Sequence, residues 1–177
     1  MRKKKLTYKD NRLLQRNTFA LATLVAIATA TLPLSAGEPQ RSLQPIKAAL
    51  SDSAVVAGKV VYVDFWASWC APCRQSFPWM KRLQERYQDQ GLRIVAVSVD
   101  KEIPAARQFL KETGAEFTVI YDSTGALAKT FDLKAMPTSF VFGRDGRYDS
   151  QHRGFVPKDT TAIETTLKNL LAQKAPK

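Results

Sequence analysis

The sequence predicts an α/β domain in which a central mixed sheet is flanked by helices. Three observations carry that expectation. Residues 59–65 (Lys-Val-Val-Tyr-Val-Asp-Phe) and 92–99 (Leu-Arg-Ile-Val-Ala-Val-Ser-Val) are nearly continuous apolar runs, as in strands covered on both faces. Between them a helical period places Phe77, Met80, Leu83 and Tyr87 on one stripe of a segment from about Ala71 to Gln90, which Gly91 ends. Downstream, the turn Arg144-Asp145-Gly146 between two extended stretches signals a hairpin, so parallel and antiparallel pairing share one sheet. At 177 residues, one domain is expected.

The N-terminus stands outside that domain. Arg2, Lys3, Lys4, Lys5, Lys9, Arg12 and Arg16 face Asp10 alone, and an uncharged stretch follows over 17–37 with an apolar core at 19–30. A basic region, a short apolar region and small residues at Ala28-x-Ala30 and Leu34-x-Ala36 form the pattern of an export signal. The expectation is a signal peptide or N-terminal membrane anchor over 1–36, with 18–36 as the anchoring segment if it is retained. A lead-in over 37–58 with a short helix at Leu43–Leu50 follows, and the main domain covers 59–174. Export places that domain in the periplasm or on the outer face of the cytoplasmic membrane, an oxidising setting. The charge follows the same division. Of 27 basic and 16 acidic residues, seven and one lie in 1–36, so a net +11 falls to +5 beyond it. That gives no case for nucleic-acid binding.

The chain has two cysteines, Cys70 and Cys73, in Trp66-Ala67-Ser68-Trp69-Cys70-Ala71-Pro72-Cys73. The pair falls where a strand ends and a helix begins, and unpaired N–H groups and the helix dipole favour an anion there. Cys70 is therefore expected as a thiolate nucleophile of lowered pKa. Cys73, one turn on, can attack a mixed disulfide formed on Cys70. A purely structural disulfide across so short a loop would stabilise little. Asp64, six residues before Cys70, is a carboxylate in an otherwise apolar strand, which is costly without a purpose.

This stretch resembles thioredoxin. The positions that carry the resemblance are Asp64, Phe65, Trp66, Ala67, Trp69, Cys70, Pro72, Cys73 and Pro78, with Met136-Pro137-Thr138 further on. The resemblance implies a thioredoxin fold, a cis bond before Pro137 facing the cysteines, and Asp64 buried behind Cys73 to relay its proton. It also implies a docking groove bordered by Gly154. Thioredoxins often place a lysine beside the buried aspartate; the corresponding position here is Ala96.

Cys73 and Pro137 are 64 residues apart, longer than plain thioredoxin needs. The added length reads as a helix at Ile103–Thr113 capped by Gly114, a strand at Phe117–Tyr121 and a helix at Ser123–Phe131. A βα insert before the cis-proline segment resembles the exported TlpA/ResA/CcmG-type thiol-disulfide oxidoreductases. Peroxiredoxins carry a similar insert, but their lone peroxidatic cysteine in a Thr-x-x-Cys setting does not match Ser68-Trp69-Cys70 with Cys73. A strand at Ser139–Phe142, another at Arg147–Gly154 and a helix from Asp159 or Thr160, with Ile163, Leu167, Leu170 and Leu171 inward, complete the chain. His152, the only histidine, reads as an exposed strand residue, and Arg74 as part of a solvated helix face.

The reading is a dithiol–disulfide exchange enzyme with Cys70 as nucleophile, Cys73 as resolving thiol and Asp64 as proton carrier. Trp69, Pro72, Met136, Pro137 and Gly154 form the surface that meets an extended partner strand. No metal, nucleotide or flavin motif appears, so no cofactor beyond the cysteine pair is expected. The expected partners are disulfide-containing envelope proteins and, from the resemblance, a membrane thiol–disulfide carrier as electron donor. Cytochrome c maturation and thiol supply to a copper site are tasks the resemblance allows. The expected direction is reductive. A dithiol oxidant or isomerase, and a copper(I)-binding protein using the soft thiolates, stand as alternatives.

Overall fold

The computed structural model describes residues 42–175, so the segment expected to direct export lies outside the described residues. The order is α1 (Gln44–Ala49), β1 (Val60–Trp66), α2 (Ala71–Tyr87), β2 (Leu92–Ser98), α3 (Ile103–Thr113), β3 (Thr118–Tyr121), α4 (Ala126–Thr130), β4 (Thr138–Phe142), β5 (Tyr148–Arg153) and α5 (Thr160–Leu171). One five-stranded mixed sheet runs β3-β2-β1-β4-β5. β1 and β3 pair parallel to β2, while β4 pairs antiparallel to β1 and to β5. The sheet flanked by helices, and the α3–β3 insert, are as the sequence predicts.

Alternation of side chains along the central strands sorts the core into two layers. Tyr62, Trp66, Ile94 and Val141 face Cys73, Phe77, Met80 and Leu83 of α2, Phe109 of α3, and Leu167 and Leu171 of α5. Val61, Val63, Phe65, Val95, Val97, Phe140 and Phe142 pack on the other side with Leu43, Ile46, Val56 and Phe131. Leu43, Ile46 and Val56 are completely buried, so the lead-in supplies core as well as connection. An aromatic cluster ties the insert to the active-site helix. Trp66, Phe77 and Phe109 stack pairwise with ring centroids 4.8–5.0 Å apart, and Phe117 lies 5.5 Å from Phe77.

Helix ends depart from the sequence reading for identifiable reasons. α2 ends at Tyr87, and the turn that follows over 88–91 is held by arginines: Arg93 Nη1 donates to Gln88 O at 3.0 Å and Arg144 Nη2 to Gln90 O at 2.8 Å. α4 starts at Ala126 instead of Ser123, because the Asp122 carboxylate accepts the Leu127 and Ala128 N–H groups after an intervening turn. Arg144 itself, at the hairpin turn, also donates to Gly58 O at 3.1 Å, Leu171 O at 3.0 Å and Gln173 O at 3.0 Å. Gly91 lets it pass. A Cβ there would lie 2.6 Å from Arg144 Nη1, and its φ of +100° suits only glycine.

Candidate active site

Cys70 and Cys73 sit at the first turn of α2, joined by a disulfide with Sγ–Sγ 2.07 Å. Cys70 is the N-cap of α2, and its Sγ accepts the Cys73 N–H at 3.3 Å. Sulfur therefore already occupies the place where the helix end offers an N–H to an anion. Cys73 is completely buried and Cys70 nearly so, whereas Trp69 beside them is 70% exposed. Pro72 is exposed on the same turn.

The loop carrying Cys70 is held by a carboxylate from the segment that follows β2. Asp100, buried just past β2, accepts the Ser68 N–H at 2.9 Å, the Ser68 hydroxyl at 2.8 Å and the Ser98 hydroxyl at 3.0 Å. Three donors satisfy this buried carboxyl group and fix the loop two residues before Cys70. The sequence signal was faint: Ser98 and Asp100 are polar at the end of an apolar run. Arg74, the residue after Cys73, is exposed, as the sequence suggests, and on that solvated face it pairs with Glu112 of α3 at 3.1 Å and lies over the Phe109 ring at 4.6 Å.

Met136–Pro137 is the cis peptide bond that the resemblance implied. Pro137 is buried and its carbonyl accepts the Gly154 N–H at 2.7 Å, so this segment and the end of β5 are locked together. Met136 packs half-buried against the same core as both cysteines, next to Phe155 in that layer, while Val156 is 42% exposed.

Asp64 is buried in the middle of β1, on the face toward α2. Ala96 is its partner on β2, the position where thioredoxins often carry a lysine. With no cation there, burial alone pushes the Asp64 carboxyl well above the usual carboxylate range. Its Oδ2 has no hydrogen-bond partner among the described residues. A polar cleft of about 220 Å³ opens beside it, lined also by Ser76 of α2, Pro137, Ser139, His152, Gly154 and Asp159. Ser76 lies one turn beyond Cys73, which puts Asp64 under the start of α2. Tyr62, on the same face, hydrogen-bonds Ser139, and burial and the neighbouring Asp64 push its phenol up. His152 is not the exposed residue the sequence suggested. It is half-buried in β5 and faces this cleft. Among the described residues, no group of three or more His, Cys, Asp or Glu could hold a metal ion. Nor is any helix there long and apolar enough to cross a membrane.

Comparison with known proteins places this geometry in context. The Redoxin family model matches residues 35–170. A thiol-disulfide oxidoreductase ResA of Bacillus thuringiensis subsp. konkukian is 33% identical over 113 residues, which are 64% of this chain and 64% of the relative. The chain thus covers less than two thirds of that relative's length. The ResA of Oceanobacillus iheyensis is 27% identical over 94% of this chain and 93% of its own. A Chlorobium tepidum structure described as a thiol:disulfide interchange protein DsbE superposes with a TM-score of 0.65 at 45% identity, covering 67% of this chain and 84% of the other. The cysteine pair at a strand–helix junction, the cis-proline segment, the α3–β3 insert and these matches agree: the chain belongs to the Redoxin family and is a thioredoxin-fold protein of the ResA/CcmG type.

Proposed function

We propose that the protein is a thiol–disulfide oxidoreductase of the cell envelope that reduces disulfides in partner proteins. The observation that carries this is the Cys70 sulfur at the α2 N-terminus, accepting a backbone N–H while Cys73 is buried within bonding distance. The Cys70 thiolate attacks one sulfur of the partner disulfide, and the other partner sulfur leaves with the electron pair. Asp64 takes the proton of Cys73. The Cys73 thiolate then attacks Cys70, the bond to the partner breaks, and the second partner thiolate leaves. Two electrons reach the partner, and the Cys70–Cys73 disulfide remains for a membrane thiol–disulfide carrier to reduce. Trp69, Pro72, Met136, Pro137 and Gly154 receive an extended partner segment, with the Met136 backbone offered for strand addition. The exposed Trp69 and Val156 at this end support that surface. Cytochrome c precursors and copper-site thiols are candidate substrates. Residues 18–36 serve as export signal or anchor.

The partner test is Cys73→Ser expressed in the native cell. The variant attacks but cannot release, so partners accumulate as mixed disulfides on non-reducing gels. Normal turnover by this variant would overturn the assignment of roles.

Direction follows from how well the thiolate is stabilised. Ala71 and Pro72 between the cysteines offer no side-chain donor or charge. The helix terminus supplies about 0.3–1 kcal/mol when exposed and up to about 2 when partly buried. About 1.4 kcal/mol corresponds to about 30 mV, so it cannot lift a pair from about −270 mV to about −120 mV. A glutathione titration should give a potential more negative than about −200 mV. A value near the oxidant end would reverse the direction and leave the exchange chemistry standing.

A further inference from the structure

The cleft beside Asp64 has an outer end that the exchange steps do not use. Four residues form one row across the sheet, each the register partner of the next: Ala96 with Asp64, Asp64 with Ser139, Ser139 with His152. Directly opposed residues project to the same face, about 4.5–5.5 Å apart at Cβ in antiparallel pairs. That face is the one toward α2 and α5, because Tyr62, Ile94 and Val141 on the same strands belong to that core. Ala96 closes the inner end with a buried methyl group, and His152 stands on the edge strand at the other. The cleft lined by Asp64, Ser139 and His152 has room for several waters at about 30 Å³ each.

We infer that His152 is the proton outlet of this site: it takes up, through Ser139 and cleft water, the proton that Asp64 removes from Cys73, and passes it to solvent. The inference rests on the role of Asp64 proposed above. It supplies what that role lacks, since a buried carboxylate that has taken a proton must lose it before the next turnover. The steps balance. Cys73 Sγ–H gives its proton to the Asp64 carboxylate, and the Cys73 thiolate attacks Cys70 Sγ. The Cys70–partner bond breaks, and the partner sulfur leaves with the electron pair. Asp64 then passes its proton along the row to the His152 imidazole, and the imidazolium releases it to bulk water. In the opposite direction the same row returns a proton when Cys73 is reduced.

His152 acts through Asp64 and touches no reacting sulfur, so its role is that of a positioning and transfer residue. Its electrostatic surroundings suit the task. Burial lowers its affinity for a proton, and the carboxylates of Asp149 on its own strand and Asp159 before α5 partly restore it. The other ionisable groups bordering the cleft are Asp64 and Tyr62 from β1 and Arg153 from β5; α2 and α5 contribute the uncharged Ser76 and Ile163. The His152 Nε2 lies 3.5 Å from Ser150 Oγ, which leaves the ring without a strong partner to fix its protonation.

The test uses His152→Ala and His152→Gln in the full chain, with Asp64→Asn alongside. The readout is the steady-state rate of insulin-disulfide reduction over repeated turnovers with excess dithiothreitol as reductant, followed from pH 5.5 to 8.5. His152→Ala should be slower by about tenfold near neutral pH, less than the 10²–10⁴ of a direct general acid–base group. Added imidazole should restore the rate in proportion to its concentration, with no effect on wild type, because it enters the space the side chain vacates. His152→Gln, which keeps polarity but cannot carry a proton at these pH values, should be equally slow and should not be rescued. Thermal unfolding checks that both variants fold. Rates for both variants within twofold of wild type across the range would overturn the inference, as would a slow His152→Ala that imidazole does not rescue. If Asp64→Asn is slow while the histidine variants are not, only the outlet fails. If Asp64→Asn matches wild type, it is the proposed role of Asp64 that fails.

Discussion

Cys70→Ser is expected to abolish reduction of insulin disulfides while leaving the fold of the reduced protein intact. The loss is total because the chain holds only two cysteines and Cys73 is completely buried. A serine hydroxyl does not ionise near neutral pH, so no nucleophile remains at the α2 N-terminus. The fold survives for a local reason. Cys70 is the N-cap of α2 and accepts the Cys73 N–H, and serine is among the preferred residues for that position. The lost disulfide spans three residues, so it constrained the unfolded chain little. Thermal unfolding of Cys70→Ser should match that of wild type with its cysteines reduced. Residual insulin reduction by the variant would show that Cys70 is not the attacking sulfur.

Asp64→Asn should stabilise the oxidised protein by an amount that grows with pH, and slow exchange by something within about 10²–10⁴. The sign follows from the raised folded-state pKa. Below the ordinary carboxylate value of about 3.9, the group is protonated in folded and unfolded chains alike and there is no penalty. As the pH rises, the unfolded chain releases this proton first, so stability falls until the pH passes the raised folded value. Above that, the penalty is constant. Asparagine has no such dependence. Urea midpoints of variant and wild type should therefore nearly coincide at about pH 4 and separate toward pH 8 in favour of the variant. Parallel curves would mean that Asp64 titrates as a solvated residue. The kinetic effect is separable, since a neutral side chain of the same shape keeps the packing and removes only the proton acceptor.

What the sequence made legible was decided by local pattern. The apolar runs of β1 and β2, the stripe on α2 and the inward faces of α3 and α5 each have a period readable within a dozen residues, and the structure follows them. The cysteine pair, Asp64 and the residues of the cis-proline segment were likewise visible, and Ala96 does oppose Asp64. What stayed hidden depends on partners far along the chain. Asp100 holds Ser68, 32 residues away, and the polar Ser98 and Asp100 at the end of an apolar run do not name that partner. β5 reads Tyr-Asp-Ser-Gln-His-Arg, polar throughout, so no alternation told which face would turn inward; only its register with β4 places His152 beside Ser139. Arg74 is exposed as expected, but its partners Glu112 and Phe109 lie on the insert, whose docking onto α2 is tertiary, so local pattern does not reveal them. The end of α2 and the start of α4 differ for the same kind of reason: Arg93 and Arg144 hold carbonyls of the turn after α2, and Asp122 takes the first N–H groups of α4.

The Arg144 guanidinium clamps the end of the sheet that lies away from the cysteines. It joins the residues before β1, the segment after α2 and the end of α5 through four carbonyls, all beside the start of β1. The cysteines lie past the other end of that strand, where Asp100 holds the Ser68 loop and Pro137 holds Gly154. Local opening draws on the least anchored parts of a fold. With β1 clamped at both ends, adjustment to a docked segment should fall to exposed side chains such as Trp69, while the backbone around the cysteines keeps its place.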